Sequence, residues 1–138
     1  MLELSEKENE KIISVIRDVL GREEKVIFAY MYGSFIKKEK IINDLDVAIY
    51  CKGVDEPFGF QADCKIKISD ELRKNGLNIS PDEIDLKIIN DADYDFVIEL
   101  LDEGLLLIDK APDERSSFIE KISLRYRLNE IVLREFYR

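Results

Sequence analysis

The sequence predicts an α+β domain in which a small mixed β-sheet of three to four strands is flanked by helices, the last of them long. Three observations predict it. Short apolar or alternating runs at residues 26–32, 45–51, 84–88 and 105–108 alternate with stretches of helical period. The final stretch, Pro112 to Phe136, stays helical in pattern over about seven turns. The 138 residues suffice for one domain with a real core.

Each element has its own signal. Ser5 and Glu8 have capping-box spacing, and Ile12, Ile13, Ile16, Val19 and Leu20 then recur with helical period up to Gly21, a natural stop. Val26 to Tyr32 is continuous, aromatic and branched, as a buried strand should be. Phe35 to Asn43 begins as a short helix or loop carrying Lys37, Lys38 and Lys40. From Leu45 to Cys51, a period of two sets Leu45, Val47 and Ile49 on one face and Asp44, Asp46, Ala48 and Tyr50 on the other. Gly53 to Gly59 reads as a loop, and Phe60 to Lys74 as a helix carrying apolar Ala62, Ile66, Ile68 and Leu72 and ending at Asn75-Gly76.

Ser80-Pro81 marks a turn into a third strand, where Ile84, Leu86 and Ile88 alternate with Asp85 and Lys87. Ala92 to Glu103 predicts a helix ended by Gly104, Leu105 to Ile108 a strand, and Pro112 to Phe136 the terminal helix.

Charge and composition exclude several function classes. Lys and Arg total 21 against 30 Asp and Glu, a net charge of -9, so the surface repels nucleic acid and argues against its direct binding. Arg115 to Arg138 alone carries six basic and three acidic residues, a local +3 suited to an acidic partner. With no histidine, Ser-His-Asp and Cys-His nucleophilic machinery is absent. Cys51 and Cys64 form no disulfide framework or metal-ligand spacing. No apolar run approaches bilayer length, and no charged and apolar leader is visible, so the expected compartment is the cytoplasm.

The chemistry concentrates in Tyr32-Gly33-Ser34-Phe35 and Asn43-Asp44-Leu45-Asp46. Glycine without a Cβ lets the backbone approach a phosphate, and the Ser34 hydroxyl and neighbouring amides can donate to it. Alone, Gly-Ser describes an ordinary turn and Asp-x-Asp a solvated edge. Strand, Gly-Ser turn and Asp-x-Asp strand in succession describe a phosphate site beside two carboxylates. Asp85 can join Asp44 and Asp46 from the third strand, and three such charges call for a cation, most naturally magnesium among oxygen ligands.

Gly33-Ser34, nine residues, Asp44-x-Asp46, and Asp85 within Ile84-Asp85-Leu86 resemble the polymerase-β-like nucleotidyltransferase superfamily. More narrowly the chain resembles the minimal nucleotidyltransferase antitoxins of HEPN/MNT toxin–antitoxin pairs. The resemblance implies one nucleotidyltransferase domain over residues 1–138, with two magnesium ions on Asp44, Asp46 and Asp85 and with ATP as substrate. It implies that Gly33 and Ser34 hold the β- and γ-phosphates, that Asp85 can also take the acceptor proton, and that the acceptor is a tyrosine hydroxyl of a HEPN ribonuclease toxin. The loop after Ser34 is one residue shorter than is usual there, and Phe35 stands where an arginine commonly does, so side-chain contacts to the triphosphate fall to Lys37 and Lys38. An antitoxin that neutralises its partner by binding alone is the alternative. The terminal helix, with Phe118, Ile122, Tyr126, Phe136 and Tyr137 among Arg125, Arg127 and Arg134, is expected to pack partly on the core and to offer the rest to a partner.

Overall fold

The computed structural model describes residues 2–39 and 42–136. The elements run α1 (Glu6–Gly21), β1 (Val26–Tyr32), β2 (Leu45–Cys51), α2 (Pro57–Lys74), a short 3-10 turn (Pro81–Glu83), β3 (Ile84–Ile88), α3 (Tyr94–Glu103), β4 (Leu105–Asp109) and α4 (Pro112–Phe136). The strands form one mixed sheet in the order β3-β2-β1-β4, with β2 and β3 parallel and the other pairs antiparallel. The predicted α+β class, the mixed sheet and the long terminal helix are all present.

Local chemistry accounts for the element ends. The Ser5 hydroxyl accepts from the Glu8 amide at 3.3 Å while the Ser5 amide donates to Glu8 Oε1 at 3.1 Å, closing the capping box of α1. Helix α2 begins at Pro57, earlier than expected, because proline at the first helical position gives up only an amide that would lack a partner there. It ends where Gly76 takes a φ of +82° and the Leu77 amide returns to the Leu72 carbonyl at 2.9 Å. Helix α3 starts at Tyr94 rather than Ala92. Gly104 stops it in extended backbone, where a Cβ would run into the Leu100 carbonyl oxygen.

Residues 33–39 form consecutive turns in place of the short helix: the Lys37 amide donates to the Gly33 carbonyl at 3.1 Å, that of Glu39 to the Ser34 carbonyl at 3.2 Å, and Lys38 sits at a φ of 55°. Lys40 lies outside the described residues.

The sheet separates two apolar layers. Ile12, Ile16 and Leu20 of α1, and Cys64, Ile68 and Leu72 of α2, cover Ala29, Met31, Leu45, Val47, Ile49, Ile84 and Leu86. On the opposite face α3 and α4 bring Val97, Leu100, Phe118 and Ile122 against Phe28, Tyr30 and Ala48. Alternation along β2 and β3 divides residues between these layers as the sequence predicts. In β1 a register irregularity between Val26 and Phe28 lets Ile27 and Phe28 both associate with the second layer. The Phe28 ring stacks on Tyr50 with centroids 4.8 Å apart and meets Phe118 at 5.7 Å.

The inner face of α2 differs from its apolar spacing, whereas α4 packs only in part on the core, as expected. Ala62 and Ile66 face outward on α2, Ile66 being 50% exposed, and the buried stripe is Cys64, Ile68 and Leu72 with Ser69, whose hydroxyl donates to the Ile79 carbonyl at 2.6 Å. In α4 only Phe118 and Ile122 are buried; Leu128 is 53%, Val132 62% and Phe136 78% exposed. Among the described residues no helix is long and apolar enough to cross a membrane.

Candidate active site

The site lies at the end of the sheet where β1 leaves and β2 enters. Cα pairing sets Tyr32 of β1 opposite Asp46 of β2, and Asp46 opposite Asp85 of β3. Paired residues on neighbouring strands project to the same face, so Tyr32, Asp46 and Asp85 form a row across three strands on the α3/α4 side. Asp44 stands just before β2, half-buried, close enough for its charge to act on Asp46. Burial first, and then the Asp85 and Asp44 charges, push the Asp46 carboxyl up to about 6.

Gly33 follows Tyr32 with a φ of +77°, a conformation that favours glycine. A Cβ there would overlap Asp46 Oδ2 and stand 3.1 Å from its Cγ, so the turn backbone and the carboxylate are in direct contact. The bonds that close the turn are donated by Lys37, Lys38 and Glu39, which leaves the Ser34, Phe35 and Ile36 amides outside them. Ser34 is half-exposed beside that contact.

The other residues of the turn divide between the core and the surface. Phe35 is 3% exposed and belongs to the α1/α2 layer, tying the turn to the core. Lys37 is exposed and its Nζ lies 3.3 Å from Glu103 Oε2 on α3. That ion pair, exposed on both sides, raises the lysine's pKa, chiefly through the hydrogen bond to Glu103. Lys38 is exposed. Asp46 and Asp85 are therefore joined with Gly33 and Ser34, whereas Lys37 is drawn toward α3.

Phe96, Lys87 and Glu103 were not singled out from the sequence, and Tyr32 was given no role beyond its place in the motif. The Tyr32 hydroxyl is buried without a partner among the described residues, and burial, then Asp46 and Asp85, hold its pKa well above that of an ordinary phenol. Its ring meets Phe96 edge-on at 5.4 Å. Lys87 lies 3.8 Å from Asp85 Oδ2 and 5.3 Å from the centre of the Phe96 ring. Glu103 completes the set by engaging Lys37. Tyr32 and Lys87 carry the right strand parity, which was visible in the sequence; the register that aligns them with the carboxylates was not. Tyr32, Gly33, Lys37, Phe96, Glu99 and Glu103 line a cavity of about 230 Å3 against this row.

The donor set suits a hard divalent cation: carboxylate oxygens only, two of them in register, and an Asp46 raised first by burial and then by acidic neighbours whose charge a cation would neutralise. Among the described residues, no three acidic or cysteine side chains already converge as a metal-binding group. Without compensating charge, carboxylates repel one another at short range.

Comparison with known proteins gives three results. Residues 10–113, which include every aspartate of the site and the Gly33-Ser34 turn, match the family model described as "Polymerase beta, Nucleotidyltransferase". No curated protein matches in sequence. Among solved structures, a chain of the toxin–antitoxin MntA-HepT crystal structure is similar with a TM-score of 0.59 and 16% identity, over 96% of each chain. A chain of the complex of tri-AMPylated Shewanella oneidensis HEPN toxin with MNT antitoxin has a TM-score of 0.56 and 15% identity, over 97% of this chain and 96% of that one. A toxin–antitoxin crystal structure with AMP-PNP has a TM-score of 0.56 and 16% identity, over 94% and 98%. At these identities the structural likeness shows a shared fold.

Proposed function

Since the chain belongs to the polymerase-β nucleotidyltransferase family, we propose that it transfers AMP from ATP to a hydroxyl, in particular a tyrosine hydroxyl, of a HEPN-domain toxin and so acts as its antitoxin. The observation that carries the proposal is the contact between the Gly33 turn and Asp46, with Asp85 in register beside it. A phosphate-binding backbone and a pair of carboxylates meet there at one point. The partner is suggested by the fold shared with chains from MntA-HepT and HEPN–MNT complexes.

In this proposal the amides following Gly33 and the Ser34 hydroxyl hold the β- and γ-phosphates. Asp44, Asp46 and Asp85 would hold two magnesium ions, which supply charge neutralisation for the α-phosphate and the leaving pyrophosphate. The acceptor oxygen forms its bond to the α-phosphorus as the α–β phosphoanhydride bond breaks. Asp85 takes the acceptor's proton, and pyrophosphate departs on the Gly33 side. Phe96 packs edge-on against Tyr32 at one end of that row, and Lys87 sets a positive charge beside Asp85.

Partner contact is assigned to the outer part of α4, where Leu128, Ile131, Val132 and Phe136 stand exposed among Arg125, Arg127 and Arg134. Tyr137, expected to share in this surface, lies outside the described residues.

A second function, neutralisation by binding alone, is favoured by one observation: Lys37 is engaged by Glu103 and Phe35 is buried, so of the expected side-chain contacts to a triphosphate the exposed Lys38 is the one left. Incubation with α-labelled ATP, magnesium and the cognate HEPN toxin separates the two. The wild-type chain should label the toxin and Asp44→Asn/Asp46→Asn should not; equal labelling by both defeats the enzymatic proposal. A variant that no longer labels but still neutralises the toxin identifies masking as sufficient.

A further inference from the structure

A groove lies beyond the carboxylates, at the β3 edge of the sheet. Phe58, Ala62 and Ile66 of α2 recur every fourth residue on a face away from the buried Cys64, Ile68 and Leu72. Phe58 is 89% exposed. With Pro81, Leu86 and Asp85 they line a depression of about 490 Å3. A second depression of about 290 Å3, running past Ile88 and Ala92 to Phe96, shares Gln61 and Lys87 with the first. The two flank β3, which is an edge strand of the sheet. One trough therefore runs along an exposed edge, with an apolar wall at one end and the site's own Asp85 and Lys87 beside it.

Its position relative to the phosphate turn is informative. Across the sheet the order is Gly33 at the end of β1, Asp46 on β2, Asp85 on β3, and then the trough. Phosphoryl displacement brings the attacking and leaving oxygens roughly into line on opposite sides of phosphorus. With the leaving pyrophosphate on the Gly33 side, the attacking hydroxyl must arrive from the β3 side. The wall of Phe58, Ala62 and Ile66 suits apolar side chains, the two lysines of the lining, Lys65 and Lys87, are balanced against a triphosphate by Asp82 and Asp85, and the net charge of -9 disfavours nucleic acid. Edge strands flanked by apolar pockets receive extended polypeptide. Here Gln61 Nε2 already donates to the Leu86 carbonyl at 3.0 Å, so side-chain burial rather than a full ladder of backbone bonds would hold the segment.

We infer that the trough along β3 is the docking groove for the acceptor polypeptide, seating apolar residues next to the accepting hydroxyl against Phe58 and Ile66 and bringing that hydroxyl to Asp85. This rests on the protein-acceptor function proposed above. It names a surface distinct from α4, none of whose residues line either depression.

The test is the full-length Phe58→Ser/Ile66→Ser variant, which alters exposed side chains outside both core layers. It is assayed with α-labelled ATP, magnesium and the cognate HEPN toxin, and by calorimetric titration with that toxin and separately with AMP-PNP. The KM for toxin should rise about tenfold or more, equivalent to about 1.4 kcal/mol, while kcat at saturating toxin and the affinity for AMP-PNP stay within about twofold. Unchanged toxin KM and unchanged toxin affinity overturn the inference. So does a variant that loses a homodimer formed by the wild type yet binds toxin normally, since the groove would then belong to a second copy. If the wild-type chain transfers nothing, calorimetry still decides: tenfold weaker toxin binding by the variant keeps the groove and removes the enzymatic proposal, and equal binding removes the groove.

Discussion

Gly33→Ala tests the contact on which the site depends, because two other glycines provide its controls. Gly33, Gly53 and Gly76 all have positive φ, at +77°, +71° and +82°. Alanine in that region costs about 1–2 kcal/mol whatever its surroundings. The three differ in what the new Cβ meets: nothing within 4 Å at Gly53 or Gly76, but the Asp46 carboxylate at Gly33. Asp46 Oδ2 is the free end of a short side chain and can swing away, so the overlap should add little to the unfolding free energy.

The displacement falls instead on function. A carboxylate moved by about 1 Å within a reacting constellation can lower turnover by about a hundredfold. Urea unfolding should therefore place all three variants within about 1 kcal/mol of one another, since the φ penalty is common to them. Label transfer to the toxin should fall about a hundredfold in Gly33→Ala alone. Equal transfer by Gly33→Ala and Gly53→Ala, at equal stability, would refute the reasoning that Gly33 is needed for close approach to Asp46.

Asp46 should show an acid-side stability effect opposite to that of a salt-bridged carboxylate. Its folded value, raised to about 6 by burial and acidic neighbours, means the folded state holds the proton more tightly, so its contribution is full at low pH and is lost as pH rises between about 4 and 6. Asp46→Asn should flatten that decline and, without metal at pH 7, leave the chain at least as stable as wild type, by up to ~1 kcal/mol after discounting for partial exposure; thermal melts across pH check this. Magnesium should raise the melting temperature of the wild type and not of Asp46→Asn, and equal shifts would remove Asp46 from the ion site. Truncation after Arg127 removes exposed residues of α4 and keeps Phe118 and Ile122, so the melting temperature should hold while toxin affinity falls at least tenfold, or about 1.4 kcal/mol; unchanged affinity in a folded protein would clear α4 of the role.

How much of this was legible beforehand depends on the range of each interaction. The capping box at Ser5 and Glu8, the alternation of β2 and the stop at Gly76 are set by neighbours a few residues away, and the structure has them where the sequence places them. The start of α2 at Pro57 was also readable, since proline favours a first helical turn as readily as a loop. The inner stripe of α2 was harder. Ile66 looks like a core residue and Cys64 does not, yet which face turns inward is decided by where α1 and the sheet stand.

By itself, then, the sequence determined most of the elements, the two faces of β2 and β3, and the residue types of the candidate site: a Gly-Ser turn followed by carboxylates of one parity, in a chain without histidine. Tertiary structure decided which of those groups meet. Parity assigns Asp46, Asp85, Tyr32 and Lys87 to a face, but their alignment needs the antiparallel register of β1 with β2 and the parallel register of β2 with β3. Those registers arise from contacts distant along the chain. For the same reason only the packed molecule reveals that Glu103 engages Lys37, and that Phe58 and Ile66 border a trough leading to Asp85.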